Sequence, residues 1–260
     1  MLLGIDTSGA VSVAAARGTL GGPESLEVLA VAGDDRARHH DEVLLGLVDE
    51  VLAAAGATRS EVTGVVAGRG PGPFTGLRVG LVVARTIAAV LDVPLVGVCS
   101  LDALAHEALA EADAASGSAD AASGSADAAA GPDDPAVGPG AGAPLTVAVA
   151  LDARRREVYH ARYRRTEGGD LVREHGPAVG APADVAAELT ACDLLVGSGA
   201  ALYPELLPAT SSLAHAGAGH LLQVASQLVA RGEDLTDTAP LYLREPDAAK
   251  PTARKSALGR

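Results

Sequence analysis

The stretch GRGPGPFTGLRVG, Gly68 to Gly80, has the glycines of a phosphate-binding turn and the position of one, between the apolar run VTGVVAG and a helical pattern. Phosphate chemistry needs more than glycine. A Walker-type loop follows its last glycine with Lys and then Ser or Thr, whereas Gly76 is followed by Leu77 and Arg78. A dinucleotide loop spaces its glycines GxGxxG; counted from Gly70 and Gly72, the third position is Thr75. Pro71 and Pro73 each delete a backbone N–H from any anion nest. Gly70, Pro71, Gly72, Phe74 and Thr75 therefore read as a stiff structural loop.

Other candidates for chemistry are few. His39 and His40 stand beside Asp41 and Glu42, but adjacent side chains point about 100° apart on a helix, and a zinc pair wants its rings four residues apart on one face. The positions four on hold Val43 and Leu44. No metal is expected. Arg154, Arg155, Arg156, Arg162, Arg164 and Arg165 form the dense basic run of the chain. Such a run can grip nucleic-acid phosphates without reading bases, or lie solvated on an exposed hairpin, which is the more ordinary outcome. Cys99 and Cys192 have no CxxC partner, so neither a zinc site nor a disulfide framework is indicated.

The elements that would position these residues come in two sets. LLGID (2–6) is an apolar strand ending in Asp6, with the turn TSGA and the strand VSVAAA behind it. LTVAVALD (145–152) likewise ends in Asp152, with ARRR and the alternating strand EVYHARYR behind it. The repeated strand–turn–strand predicts two related α/β domains with mixed sheets. In the first half we expect a helix from about 38 to 55, a strand over 62–68, a helix over 74–91 and a short strand PLVGV. In the second we expect a helix near 183–190, a strand over 193–197, a turn at SGAALYP and a helix over 219–231.

Along the helix 74–91, Gly76, Gly80, Ala84 and Ala88 recur every four positions and form a ridge with almost no side chain. The ridge admits close approach of another backbone, either this chain's own sheet or a partner's helix. Arg78, Arg85 and Asp92 make a narrow polar stripe at a spacing of seven.

Between the halves, ADAASGS occurs at 112–118 and again at 119–125, then decays into glycine, proline and acid. Lacking bulky apolar residues, it predicts a disordered insertion over 108–143. The domains are then 1–107 and 144–243, followed by a flexible tail, 244–260. A net charge of −13 disfavours independent binding to nucleic acid. Asp6 comes too early for a signal-peptide core, and no uninterrupted apolar run reaches membrane-spanning length, so a cytoplasmic protein with no membrane partner is expected.

The combination of LGIDTS, GRGPGPFTGLRVGL, ALDARRREVY and PLYLR resembles the TsaB (YeaZ) family over nearly the whole chain outside 108–143 and the tail. The resemblance implies an actin-like ATPase, ribonuclease H-like (ASKHA) fold of two duplicated domains. It also implies a non-catalytic subunit of the bacterial machinery that makes tRNA threonylcarbamoyladenosine (t6A). In that machinery a TsaD-like partner transfers the threonylcarbamoyl group to N6 of the adenosine 3′ of the anticodon, together with a TsaE-like ATPase. Family members use the first two helices for this contact and for self-association as homodimers. Carried onto this chain, the partner interface is Val43, Leu47, Val51, Gly76, Leu77, Gly80, Ala84 and Ala88. No cofactor of its own is implied, with ATP and metal handled by the partner subunits, and tRNA is met only within the complex, where Arg154, Arg155 and Arg156 are the candidate contacts. An ASKHA-type small-molecule kinase or ATPase is the alternative. It would use strand-end carboxylates such as Asp6 and Asp152, with Asp6, Thr7 and Ser8 as the residues for weak nucleotide contact.

Overall fold

The two strand-ending aspartates sit at equivalent places in two sheets. In the first, strand β1 (Leu2–Asp6) turns back antiparallel into β2 (Val11–Arg17), pairing Asp6 with Ser12. In the second, β6 (Thr146–Asp152) turns back into β7 (Val158–Arg165), pairing Asp152 with Val158. Each hairpin gains an outer antiparallel strand, β3 (Glu27–Asp34) or β8 (Leu171–Gly180), and an inner parallel one, β4 (Gly64–Gly68) or β9 (Leu194–Val196). The first sheet adds β5 (Leu95–Val98), giving the orders β3-β2-β1-β4-β5 and β8-β7-β6-β9. This computed structural model describes residues 1–34, 40–123 and 144–244; residues 35–39, which include His39, residues 124–143 and residues 245–260 lie outside the described set.

Among the described residues, six α-helices fill the layers: α1 (His40–Ala54), α2 (Phe74–Leu91), α3 (Ser100–Ser123), α4 (Pro182–Leu189), α5 (Ser198–Leu202) and α6 (Ala218–Ala230). Alternation along the strands decides which face meets which layer. Leu3, Ile5, Val13 and Val65 pack against Leu44, Val48 and Val51 of α1 and against Leu77, Leu81 and Ala84 of α2. On the opposite face, Leu2, Ala14 and Val66 share one core with Leu101, Leu104 and Ala108 of α3, with Leu221 and Leu222 of α6, and with Val147, Val149 and Tyr163 of the second sheet. The outer face of the second sheet is closed by Val185 and Leu189 of α4 and Ala200 of α5. The result is helices, sheet, helices, sheet, helices. Gly4 makes the central layer close: a Cβ there would lie 2.8 Å from the carbonyl oxygen of Ala218 in α6. With almost no aromatic side chains available, close approach of this kind takes over the filling that large residues ordinarily do.

Three sequence expectations change. The stretch 108–123 is not insertion but the second half of α3, whose Ala108 and Leu109 are buried. Alanine is the best helix former, and the row Leu101, Leu104, Ala105, Ala108 gives the helix its buried face. The domain boundaries also interlock, because α6 lies in the C-terminal half of the sequence yet packs on the first sheet. The SGAALYP turn is α5, a single short helix. Strands β3 and β8 and the start of α3 were not anticipated.

Candidate functional site

The TSGA turn between β1 and β2 is the first place to look for chemistry, and it is sealed. Asp6, Thr7 and Ser8 are each about 1–2% exposed. The Asp6 Oδ1 atom accepts from the Ser8 N–H (2.8 Å) and hydroxyl (2.6 Å), and Oδ2 accepts from the Ser100 hydroxyl (2.5 Å). Burial pushes its carboxyl above the usual range, against the lowering effect of the Ser100 and Ser8 hydrogen bonds. The Thr7 hydroxyl donates to the carbonyl oxygen of Gly76 at 2.8 Å.

The glycine loop is what seals the turn. Added Cβ atoms would stand 1.8 Å from Asp6 Oδ2 at Gly68, 2.2 Å from the Ser8 carbonyl oxygen at Gly72 and 2.2 Å from Thr7 Oγ1 at Gly80. Gly70, at φ +86°, donates its N–H to Ser100 Oγ (3.1 Å) and accepts from the Ser100 N–H (2.8 Å). The glycines thus admit the turn's backbone and side chains where a phosphate loop would admit phosphate. Asp6, Thr7 and Ser8, the residues expected for a nucleotide contact, are thus buried in this structure, and Gly70 and Gly72 of the loop pack against Ser100 and Ser8. Phe74 and Thr75 at its end are exposed.

The corresponding turn of the second sheet stays open. Asp152 accepts the Arg154 N–H (2.7 Å) and pairs with the Arg154 guanidinium (3.0 Å). Arg154, Arg155 and Arg156 lie in succession at φ +62°, +55° and +63°. Left-handed backbone costs a non-glycine residue about 1–2 kcal/mol each, so three arginines in a row hold a strained, fully outward turn. The rest of the basic run is spent on structure: Arg162 pairs with Glu188 (2.8 Å), Arg164 with Glu174 (2.5 Å) and the buried Arg165 with Asp113 (2.6 Å).

The small-residue ridge faces inward. Leu77, Gly80, Ala84 and Ala88 are buried in the core against the first sheet, as is Val51 of α1, while Val43, Leu47 and Gly76 are half-buried. Leu77, Gly80, Ala84, Ala88 and Val51 are taken up by the lobe's own packing, which leaves Val43, Leu47 and Gly76, of the residues expected at the interface, partly open to a partner. Sequence reading missed the outward side of α2, where Val82 (59% exposed) and Val90 (77%) stand uncovered, and the exposed Leu45 of α1 (49%). The sequence of α2 held that face as well, since outside its narrow arginine stripe the helix is apolar, enough to cross a membrane by length and composition alone.

The polar stripe of α2 holds a strap. Residues 235–244 run past β5 and α2, with the Gly97 N–H donating to the Leu235 carbonyl oxygen (2.9 Å). Arg69 donates to the Ala239 carbonyl oxygen (2.7 Å) and pairs with Asp237 (2.6 Å); Arg85 donates to the Thr238 carbonyl oxygen (2.8 Å). Arg78 donates to the Tyr242 hydroxyl (2.6 Å) and lies 3.8 Å from the centre of the Phe74 ring, on which Tyr242 stacks. At the end of the strap, Arg244 donates to the Ala153 carbonyl oxygen (2.9 Å) and pairs with Glu157. Arg244, expected in the flexible tail, is thereby fixed.

A buried polar network lies at the seam between the sheets. Arg173 makes a two-point ion pair with Asp102 (3.0 and 2.6 Å), which also accepts from the Tyr163 hydroxyl (2.7 Å). Burial opposes the Arg173 charge, but Asp102 overcomes it and raises the guanidinium pKa further. A cavity of about 410 Å³ beside them is lined by Gln227, Arg231 and Glu233, among others. The ring nitrogens Nδ1 of His106 and His220 are 3.0 Å apart, and burial, helped by His220, pulls His106 down to about 4. These partners are 60 to 120 residues apart in sequence; the available signal was a charged Asp102 and a histidine on the apolar face of a helix. Among the described residues no group of three His, Cys, Asp or Glu could hold a metal ion.

Comparison with known proteins sets this geometry in context. The family model described as tRNA N6-adenosine threonylcarbamoyltransferase (TsaD) matches residues 31–124. An uncharacterized protein of Mycobacterium tuberculosis is 35% identical over 217 residues, covering 84% of this chain and 80% of that one. The tRNA threonylcarbamoyladenosine biosynthesis protein TsaB of Escherichia coli is 28% identical over 218 residues, 80% of this chain and 81% of its own. The structure of YeaZ from Pseudomonas aeruginosa superposes with a TM-score of 0.67 at 28% identity, covering 93% of this chain and 99% of that one.

Proposed function

We propose, on the premise that the chain belongs to the TsaB (YeaZ) family and so has a role in t6A biosynthesis, that it is the non-catalytic partner subunit of the modifying complex. In this reading it heterodimerises with a TsaD-like catalytic subunit, acts with a TsaE-like ATPase and enables threonylcarbamoyl transfer to N6 of the tRNA adenosine 3′ of the anticodon. ATP and metal are handled by those partners, and the complex works in the cytoplasm.

The observation that carries the reading is the uncovered apolar face of α1 and α2. Val82, Val90 and Leu45 expose large apolar side chains on these two helices, and apolar surface gathered into a patch is what a protein contact uses. Sealing of Asp6 in the β1–β2 turn agrees with a supporting role, because a carboxylate that neither substrate nor water reaches can do no acid–base work. The same face serves self-association when the catalytic partner is absent. Co-expression with the TsaD-like protein of the same organism tests the reading. A stable 1:1 complex is expected for the wild type and none for Val82→Arg; failure of the wild type to co-purify would refute it.

A further inference from the structure

We propose that the clasp between the strap and the start of α2 is a stacking platform for single-stranded RNA, with the β6–β7 turn taking its phosphates. The inference leans on the proposed tRNA-processing role only for the choice of RNA over DNA; the surface chemistry stands without it.

The chain has one Phe, four Tyr and no Trp, so where these few rings go is informative. Tyr163 is in the core, yet Phe74 and Tyr242 stack on the surface at 46% and 40% exposure, their centroids 5.2 Å apart and their planes 25° from parallel. Arg78 lays its guanidinium on Phe74 and ties itself to the Tyr242 hydroxyl. Splayed bases stack on aromatic faces and on guanidinium planes, whatever their sequence.

Two residues along the strap from Tyr242, a reach of about 7 Å, Arg244 grips Ala153 and Glu157 at the base of the β6–β7 turn. The platform is thereby joined to Arg154, Arg155 and Arg156, all exposed and held outward by left-handed backbone. Arg154 is shared with Asp152, whereas Arg156 makes no ion pair among the described residues. A cationic turn beside a part-exposed stack of rings and guanidinium, in a chain of net charge −13, suits a strand with exposed bases. A duplex hides the faces that the rings need, and an acidic peptide would use the arginines but not the rings.

The test is binding of a fluorescein-labelled single-stranded RNA octamer to the full chain, read by anisotropy at low salt and then along a salt titration. Phe74→Ala and Tyr242→Ala should each weaken binding roughly 5- to 150-fold, the loss of about one stacked base, with the salt slope unchanged. Arg156→Ser should instead lower the slope by about 0.7, one phosphate contact. Tyr242→Phe keeps the ring while losing the Arg78 bond, so it should bind nearly as the wild type even if the clasp loosens. Equal affinity for the annealed duplex, full competition by poly-glutamate, or AMP competing as tightly as the octamer would each overturn the proposal. So would no binding by the wild type at low salt, or a Phe74→Ala variant that melts earlier but binds RNA unchanged. Capture of the TsaD-like partner is a separate readout: RNA binding without capture refutes the proposed function and leaves the platform standing, and the converse separates them equally.

Discussion

Replacing Gly80 by alanine adds one methyl at a position where the structure has no room for it. The new Cβ would lie 2.2 Å from Thr7 Oγ1 and about as close to the rest of that side chain as atoms pack, 3.0 Å from Cγ2 and 3.1 Å from Cβ. Thr7 cannot swing away, because it is buried and its hydroxyl is held by the Gly76 carbonyl oxygen at 2.8 Å. Either that bond breaks, or α2 lifts from the β1–β2 turn. Overpacking costs about 1–3 kcal/mol and a lost buried hydrogen bond about 1 kcal/mol, offset by about 1 kcal/mol from the better helix propensity of alanine. A net loss of roughly 1–3 kcal/mol, at about 2–4 °C per kcal/mol for a domain this large, lowers the melting temperature by roughly 2–12 °C. Differential scanning calorimetry reads it directly. Thr7→Ala removes the clashing oxygen, so the double variant should be less destabilised than the sum of the singles by at least about 0.5 kcal/mol. A Gly80→Ala variant that melts like the wild type yet binds the TsaD-like partner weakly would put the ridge back in the interface and refute the packing described here.

The outer face of α2 should respond in the opposite way: Val82→Arg, on an exposed helix position, should shift stability by no more than about 0.5 kcal/mol while abolishing co-purification with the partner, and a normal complex would sink the assignment. Removing residues 112–130 takes Asp113 from the buried Arg165 guanidinium, so it should destabilise where a pure loop deletion would not; Asp113→Ala alone should cost about 1–3 kcal/mol, discounted for the half-open aspartate, by urea denaturation. His106 is held near 4 by burial, against an ordinary 6.5. From pH 6.5 down to about 4 the unfolded chain therefore takes up a proton that the folded chain refuses, and stability falls with pH by about 3 kcal/mol in full. Burial pushes Asp6 upward and so works in the opposite sense, which is why the measurement is the difference between wild type and His106→Gln: the variant's slope should be flatter across that window, and identical slopes count against the buried-histidine account.

What the sequence disclosed, and what it hid, follows from the kind of signal involved. Helix α2 was legible to the residue because a strand, a proline at its start and Asp92 at its end bracket an unbroken pattern. Edge strand β8 was not, since its outward residues are polar and its pattern carries little alternation. Helix α3 was misread because alanine, serine and aspartate are compatible with both disorder and helix; the buried row from Leu101 to Ala108 decides between them only once the sheets are in place. The Asp102–Arg173–Tyr163 network was illegible for a simpler reason. Its members meet across 60 residues and more of chain, and no local spacing records that.

The same limit explains the ridge. Period-four spacing says that Gly80, Ala84 and Ala88 share a face; it does not say which neighbour that face meets. Val82 and Val90 make the opposite face of α2 apolar too, so two stripes competed for one partner surface, and the smaller residues went to the tighter contact, inside the lobe. The two duplicated turns then part company along this line. In the first, three glycines of the GRGPG…FTG…G motif let loop and helix close over Asp6, Thr7 and Ser8. In the second, Gly197 meets the β6 backbone from the side, with a Cβ there only 2.3 Å from the Ala150 carbonyl oxygen, and among the described residues nothing closes over the turn itself, which is exposed and bears arginine where strain would favour glycine. A hairpin pair that might have faced a shared nucleotide has one member locked into the core and the other turned outward as a cationic surface. That division of labour is the physical reason to look for this chain's function on its surfaces, the α2 face and the strap clasp, and not in the sealed β1–β2 turn.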